Sequence, residues 1–133
     1  DGMGEYVANQ TIKLMNKKGV MVKDAKILIL GITFKENCPD IRNTKVVDIH
    51  HTLNEFTNNI TIYDPWADVD QVKKEYDIEI VTDLPENESF DAVILAVSHD
   101  KFSDINLKSL MKENSVIYDV KGFLDRSIVD GRL

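Results

Sequence analysis

Two stretches of the chain, KILILG at 26–31 and AVILAV at 92–97, are aliphatic almost from end to end. A strand with one face in water alternates apolar and polar residues, because successive side chains point to opposite faces of the sheet. A strand that is apolar at every position is buried on both faces, which is the condition of a parallel sheet covered by its connections. Three further apolar runs, NITIYDP at 59–65, IEIV at 78–81 and SVIYDV at 115–120, recur between amphipathic stretches such as TKVVDIHHTLNEF and DVDQVKKEY. That alternation predicts an α/β layer architecture.

The expected fold is a three-layer, Rossmann-like, doubly wound parallel sheet of about five strands, preceded by an N-terminal helix. The helix is read over residues 4–18, where Val7, Ile12, Leu14 and Met15 recur at near-helical spacing and Gly19 follows two lysines as a stop. Asn43 and Thr44 supply the N-cap of the helix after the first strand. DLPENESF at 83–90 reads as a polar loop between strands, and the sequence holds no internal repeat. The chain opens at Asp1-Gly2 without an initiating Met, as a piece of something longer would.

At 133 residues the chain can bury one sizeable core and is too short for two ordinary domains. A formal net charge of -7 argues against non-specific nucleic-acid binding, which Lys and Arg drive by releasing counterions. An acidic chain can still hold an anion where a few cations converge with backbone N–H groups at a strand end. No stretch approaches the roughly 20 apolar residues of a membrane span, and DGMGEYVANQ lacks the features of a signal peptide, so no membrane partner and a cytoplasmic location are expected. The single Cys38 excludes an internal disulfide, and three His without zinc-like spacing speak against a structural metal.

In an open α/β sheet the ligand crevice lies beyond the carboxyl ends of the strands, where strand order reverses. The loops there carry Phe34, Lys35, Asp40 and Arg42 after the first run, Asp64 after the second, Ser98, His99 and Asp100 after AVILAV, and Lys121 after SVIYDV. Gly31 closes the first strand, yet a dinucleotide fingerprint needs two more glycines where Ile32, Thr33, Phe34 and Lys35 stand, so a self-sufficient NAD domain is disfavoured. A solvated loop accounts for Lys35 or Arg42 taken singly. Lys35 beside Phe34 just past the sheet edge sets a cation next to a flat apolar face, which suits a phosphate or sugar beside a ring. Asp40 either orients the Arg42 guanidinium or caps the turn begun by Pro39.

Cys38 as a nucleophile needs a neighbouring base or dipole, and His50 and His51 diverge by roughly 100° on their helix, so at most one faces it and a packing role is favoured. His99 has a better address for catalysis at a strand end, although an ordinary structural histidine is the commoner case. A Lys after the last strand, as at Lys121, also occurs in phosphoacceptor receiver domains. Those need acidic residues directly after the first strand to hold magnesium, and Gly31-Ile32-Thr33 stand there instead.

GITFKENCPDIRNTKVVDI at 31–49 resembles the signature of the C-terminal, UDP-binding domain of the UDP-glucose/GDP-mannose dehydrogenase family, most of all its bacterial UDP-N-acetylhexosamine 6-dehydrogenases. The leading DGMGEYVA, the Tyr63-Asp64-Pro65 strand end and YDVKGFLD at 118–125 extend the likeness over most of the chain. The resemblance implies an enzyme that oxidises the C6 alcohol of a UDP-sugar to a carboxylate, in two NAD-dependent hydride transfers through a cysteine-bound intermediate. It assigns Phe34, Lys35 and Lys121 to the UDP-sugar and Arg42 to NAD, the latter bound mainly by another domain. Gly122 stands where the family often places a second basic residue after the position of Lys121.

On the same resemblance, residues 1–22 are a helix following a missing central region and 23–133 are the UDP-sugar-binding domain. The NAD domain and the catalytic Cys then lie upstream, Cys38 is not that nucleophile, no catalytic residue falls in this chain, and the chain alone is inactive. The full-length enzyme is implied to be a homodimer that supplies uronic acids for capsule, O-antigen or other envelope polysaccharide. The alternative is a stand-alone, non-catalytic nucleotide-binding or regulatory α/β module.

Overall fold

The computed structural model describes residues 2–133; Asp1, the first residue of the expected leading segment, lies outside the described residues. Five strands, β1 (Ile27–Leu30), β2 (Ile60–Tyr63), β3 (Phe90–Leu95), β4 (Met111–Asp119) and β5 (Gly131–Arg132), form one all-parallel sheet in the order β2-β1-β3-β4-β5. Every residue of β1 and β3 is buried, as their unbroken aliphatic runs require.

The three α-helices are α1 (Met3–Lys17), α2 (Val46–Asn54) and α3 (Val69–Tyr76). Side chains of all three join Ile27, Ile29, Ile62, Ala92, Ile94, Val116 and Tyr118 in one core cluster, so these helices cover one face of the sheet. The alternate strand positions Leu28, Leu30, Tyr63, Val93, Leu95 and Ile117 form a second cluster on the other face. That face is covered by Phe102, Leu107 and Leu110 from two 3-10 turns, Asp100–Asp104 and Leu107–Leu110, rather than by α-helices. The connections from β1 to β2 and from β2 to β3 carry α2 and α3, whereas the connection from β3 to β4 carries the two 3-10 turns.

The run IEIV at 78–81 adds no full strand. It contributes a single bridge, Val81 to Tyr63, and the fifth strand is Gly131–Arg132 beside β4. Ile78 and Ile80 are buried in the first cluster with Val72 of α3, so their apolarity serves packing and not a ladder. The expected cap pair is displaced: the residue at the N-cap of α2 is Lys45, which makes no side-chain capping bond, while Thr44 before it accepts from Val46 N–H at 3.2 Å through Oγ1 and Asn43 takes a left-handed φ of 58°. α1 ends as read: Gly19 has φ 74° and Val20 N–H closes onto Met15 O at 2.9 Å. No helix of the described residues is long and apolar enough to cross a membrane.

Candidate functional site

Strand order reverses between β1 and β3, so the crevice lies where the loops after Leu30 and Leu95 part. Gly31 shapes its floor. Its φ is 97°, and a Cβ there would lie 2.5 Å from Cβ of Val97, so the backbones after β1 and β3 close on one another.

Above this floor, Asp64 is a fully buried carboxylate with five hydrogen bonds. Its Oδ2 accepts from Ile32 N–H at 2.7 Å, Thr33 N–H at 3.2 Å and His99 Nε2 at 3.0 Å, and its Oδ1 accepts from Trp66 N–H at 2.7 Å and Ala67 N–H at 3.1 Å. One side chain thereby ties together the loops after β1, β2 and β3. Burial by itself raises the Asp64 pKa, but the His99 hydrogen bond and the Ile32 and Trp66 N–H groups outweigh it and hold the carboxyl below its ordinary value. His99 is as fully buried as its partner, which places it under the loops and not at the crevice surface.

The candidate residues stand on this support. Phe34 is 56% exposed, and its N–H donates to Asp40 O at 2.6 Å, closing the loop. Lys35 is exposed, and its ammonium has no partner among the described residues. Arg42 is engaged: Nε and Nη2 donate to Asp40 Oδ1 and Oδ2 at 3.0 and 2.9 Å, and its side chain remains 81% exposed. The side-chain bonds from Arg42, then its backbone N–H, hold the Asp40 carboxyl at about 2. Asp40 thus orients the guanidinium as well as shaping the turn. Cys38 is half-buried and shares no hydrogen bond with His50 or His51 among the described residues. Burial first, and the charge of His51 second, keep His50 below its ordinary pKa.

Two strands along, Asp119 repeats the device. It is fully buried at the end of β4, accepting from Lys121 N–H at 3.1 Å and Leu124 N–H at 2.7 Å, and so fixes the backbone that carries the exposed Lys121. Gly122 follows with φ 66°, and the Arg132 guanidinium of β5 lies in the space a side chain there would enter. Lys35 and Lys121 thus leave the same sheet edge from strands separated by β3, about 10 Å apart at ordinary strand spacing. Trp66, 44% exposed after β2 and 6.4 Å from the His99 ring, is a second exposed aromatic at this edge. It was legible as the sole Trp directly after Tyr63-Asp64-Pro65, but its exposure was not. Among the described residues no three His, Cys, Asp or Glu side chains are grouped to hold a metal.

Residues 28–126, which include this whole constellation, match the UDP binding domain of the UDP-glucose/GDP-mannose dehydrogenase family. The chain belongs to that family. As its UDP-binding domain, the chain is 42% identical over 136 residues to a UDP-N-acetyl-D-glucosamine 6-dehydrogenase of Salmonella typhi, covering all of this chain and 32% of that protein. A Pseudomonas aeruginosa protein of the same name is 43% identical with the same coverage. The chain therefore spans about a third of the length of these relatives. Among solved structures, the NDP-N-acetyl-D-galactosaminuronic acid dehydrogenase of Methanosarcina mazei Go1 superposes with a TM-score of 0.84 at 20% identity, over 98% of this chain and 29% of that one. At that identity the superposition speaks for the family's fold alone.

Proposed function

We propose that this chain is the substrate-binding part of an NAD-dependent dehydrogenase that oxidises C6 of a UDP-N-acetylhexosamine, or of UDP-glucose, to the uronic acid. The observation that carries the reading is the braced loop 33–42, which holds an exposed Phe34 and a Lys35 cation without a partner among the described residues, at the reversal point of an otherwise acidic molecule. Phe34 lies beside the nucleotide sugar, Lys35 neutralises its diphosphate or contacts the sugar, and Lys121 meets it from the loop after β4. The preference for an N-acetylated sugar rests on the relatives' names and their 42–43% identity.

NAD accepts the hydride when bound. It is held mainly outside this chain, and Arg42, set by Asp40, is the residue of this chain that reaches it. The division at 22/23 assigns α1 to the segment entering the domain, and the nucleophilic thiol lies outside this chain, which is inactive alone. The complete enzyme is a cytoplasmic homodimer serving capsule or O-antigen synthesis. Binding the sugar from one side and the nicotinamide from the other lets closure expel water and align the reacting atoms.

The test is NADH formation by the longer protein against a panel of UDP-sugars, with Lys35→Ala and Arg42→Ala alongside. Two NADH per sugar are expected, with Lys35→Ala mainly weakening sugar use and Arg42→Ala mainly raising the NAD requirement. Equal effects of both substitutions on both ligands would sink that division of labour. No NADH with any sugar would leave a non-catalytic nucleotide-binding module as the better account.

A further inference from the structure

We propose that His99 is the positioning residue of the loop that presents Phe34 and Lys35, with its two ring nitrogens doing separate work. This rests on the reading of that loop as the nucleotide-sugar contact. Nε2 lies 3.0 Å from Asp64 Oδ2 and 3.2 Å from Thr33 Oγ1, whereas Nδ1 receives Asn37 N–H at 2.9 Å. An N–H aimed at Nδ1 assigns the ring proton to Nε2, so Nε2 donates into the buried carboxylate and Nδ1 is a pure acceptor for the loop. The ring itself is immobilised, fully buried and edge-on to Phe102 at 5.2 Å.

The consequence is geometric. Thr33 sits against one nitrogen and Asn37 against the other, so a single imidazole holds both ends of the three residues Phe34, Lys35 and Glu36. Two further bonds tighten the segment: Thr33 Oγ1 donates to Lys35 O at 2.9 Å, and Asp100 N–H donates to Asn37 Oδ1 at 3.0 Å. Asn37 adopts a left-handed φ of 56°, a conformation retained because its N–H and side chain are clasped by His99 and Asp100. Without the Nδ1 acceptor, the part-buried Asn37 N–H is left unsatisfied and the segment loses its distal anchor, so the cation of Lys35 is no longer preorganised for an anion. A buried His at a strand end therefore acts through the loop above it and not on the substrate.

The two functions separate by substitution, since a Gln amide nitrogen reaches the position of Nε2 and an Asn amide oxygen that of Nδ1. His99→Gln keeps the donor to Asp64 and removes the acceptor for Asn37; His99→Asn does the reverse. Three measurements on each variant decide the matter: UDP affinity by calorimetry, hydrogen exchange of the Asn37 amide, and the melting temperature. For His99→Gln we expect Asn37 protection to be lost and UDP affinity to fall about tenfold, the size of one hydrogen bond of preorganisation, with melting lowered less than in His99→Asn. For His99→Asn we expect lowered melting with Asn37 protection and UDP affinity largely retained. His99→Gln binding UDP like the parent with Asn37 still protected overturns the proposal. So do parallel losses of melting temperature and affinity in both variants, which mark a merely structural residue. If the parent protein itself does not bind UDP, the nucleotide reading fails, while the exchange of Asn37 in the two variants still decides the latch.

Discussion

Asp64→Asn removes one charge and almost no volume, and the structure states what it costs. The carboxylate offers Oδ2 to three donors and Oδ1 to two, all buried or nearly so. An amide can keep an oxygen toward only one set and must turn its NH2 against the other. In the gentler orientation the N–H groups of Trp66 and Ala67 face a donor. Each buried donor left unsatisfied costs about 1–3 kcal/mol, so the loss is about 2–6 kcal/mol, a large share of a typical domain's 5–15. Urea denaturation reads this as a midpoint lowered by about 1–3 M at unchanged slope.

The same carboxyl predicts an acid signature. Its folded pKa lies below the unfolded one, so its contribution is complete above the unfolded value of about 3.9 and disappears as pH falls through the lower folded value. The parent protein should therefore lose stability below about pH 4 more steeply than Asp64→Asn. A loss below about 1 kcal/mol at neutral pH, with parallel acid profiles, would show that this carboxylate does not organise the strand-end loops.

Gly31→Ala must strain a φ of 97° and press on Val97; the two effects together cost about 2–6 kcal/mol in a denaturant titration, and adding Val97→Ala leaves most of the loss in place, because the atom met at 2.5 Å is the Cβ that alanine retains. Phe102→Ala opens the face of the sheet that has no α-helix, where this ring packs 5.7 Å from Tyr63, and should cost about 3–5 kcal/mol by thermal melting. An NMR titration should find the Asp40 carboxyl titrating at about 2, and Arg42→Ala should return it toward the ordinary value of about 3.9.

The readable part of the fold was the part governed by burial. Runs such as ILIL and AVIL had to be central strands because no residue in them tolerates water, and they are β1 and β3. IEIV was equally apolar yet became packing under α3, since local composition does not say whether burial comes from a ladder or from a helix above. The loop residues Phe34, Lys35 and Arg42 were singled out as candidates by their address at a strand end. Their support was not, because Thr33, Asn37, Asp64 and His99 lie as far apart as 66 residues and meet only when three strands align.

By itself, then, the sequence determined the layer class, the sheet's parallel sense and the strand ends from which cations emerge, all consequences of where apolar side chains can be buried. The tertiary structure alone decided which cations are paired, as Arg42 is held by Asp40 whereas the Lys35 ammonium has no partner among the described residues. It also decided that His99 is a buried brace and not a surface acid or base. Those outcomes depend on hydrogen-bond geometry at a fraction of an ångström, which exists only after distant strands have been brought into register.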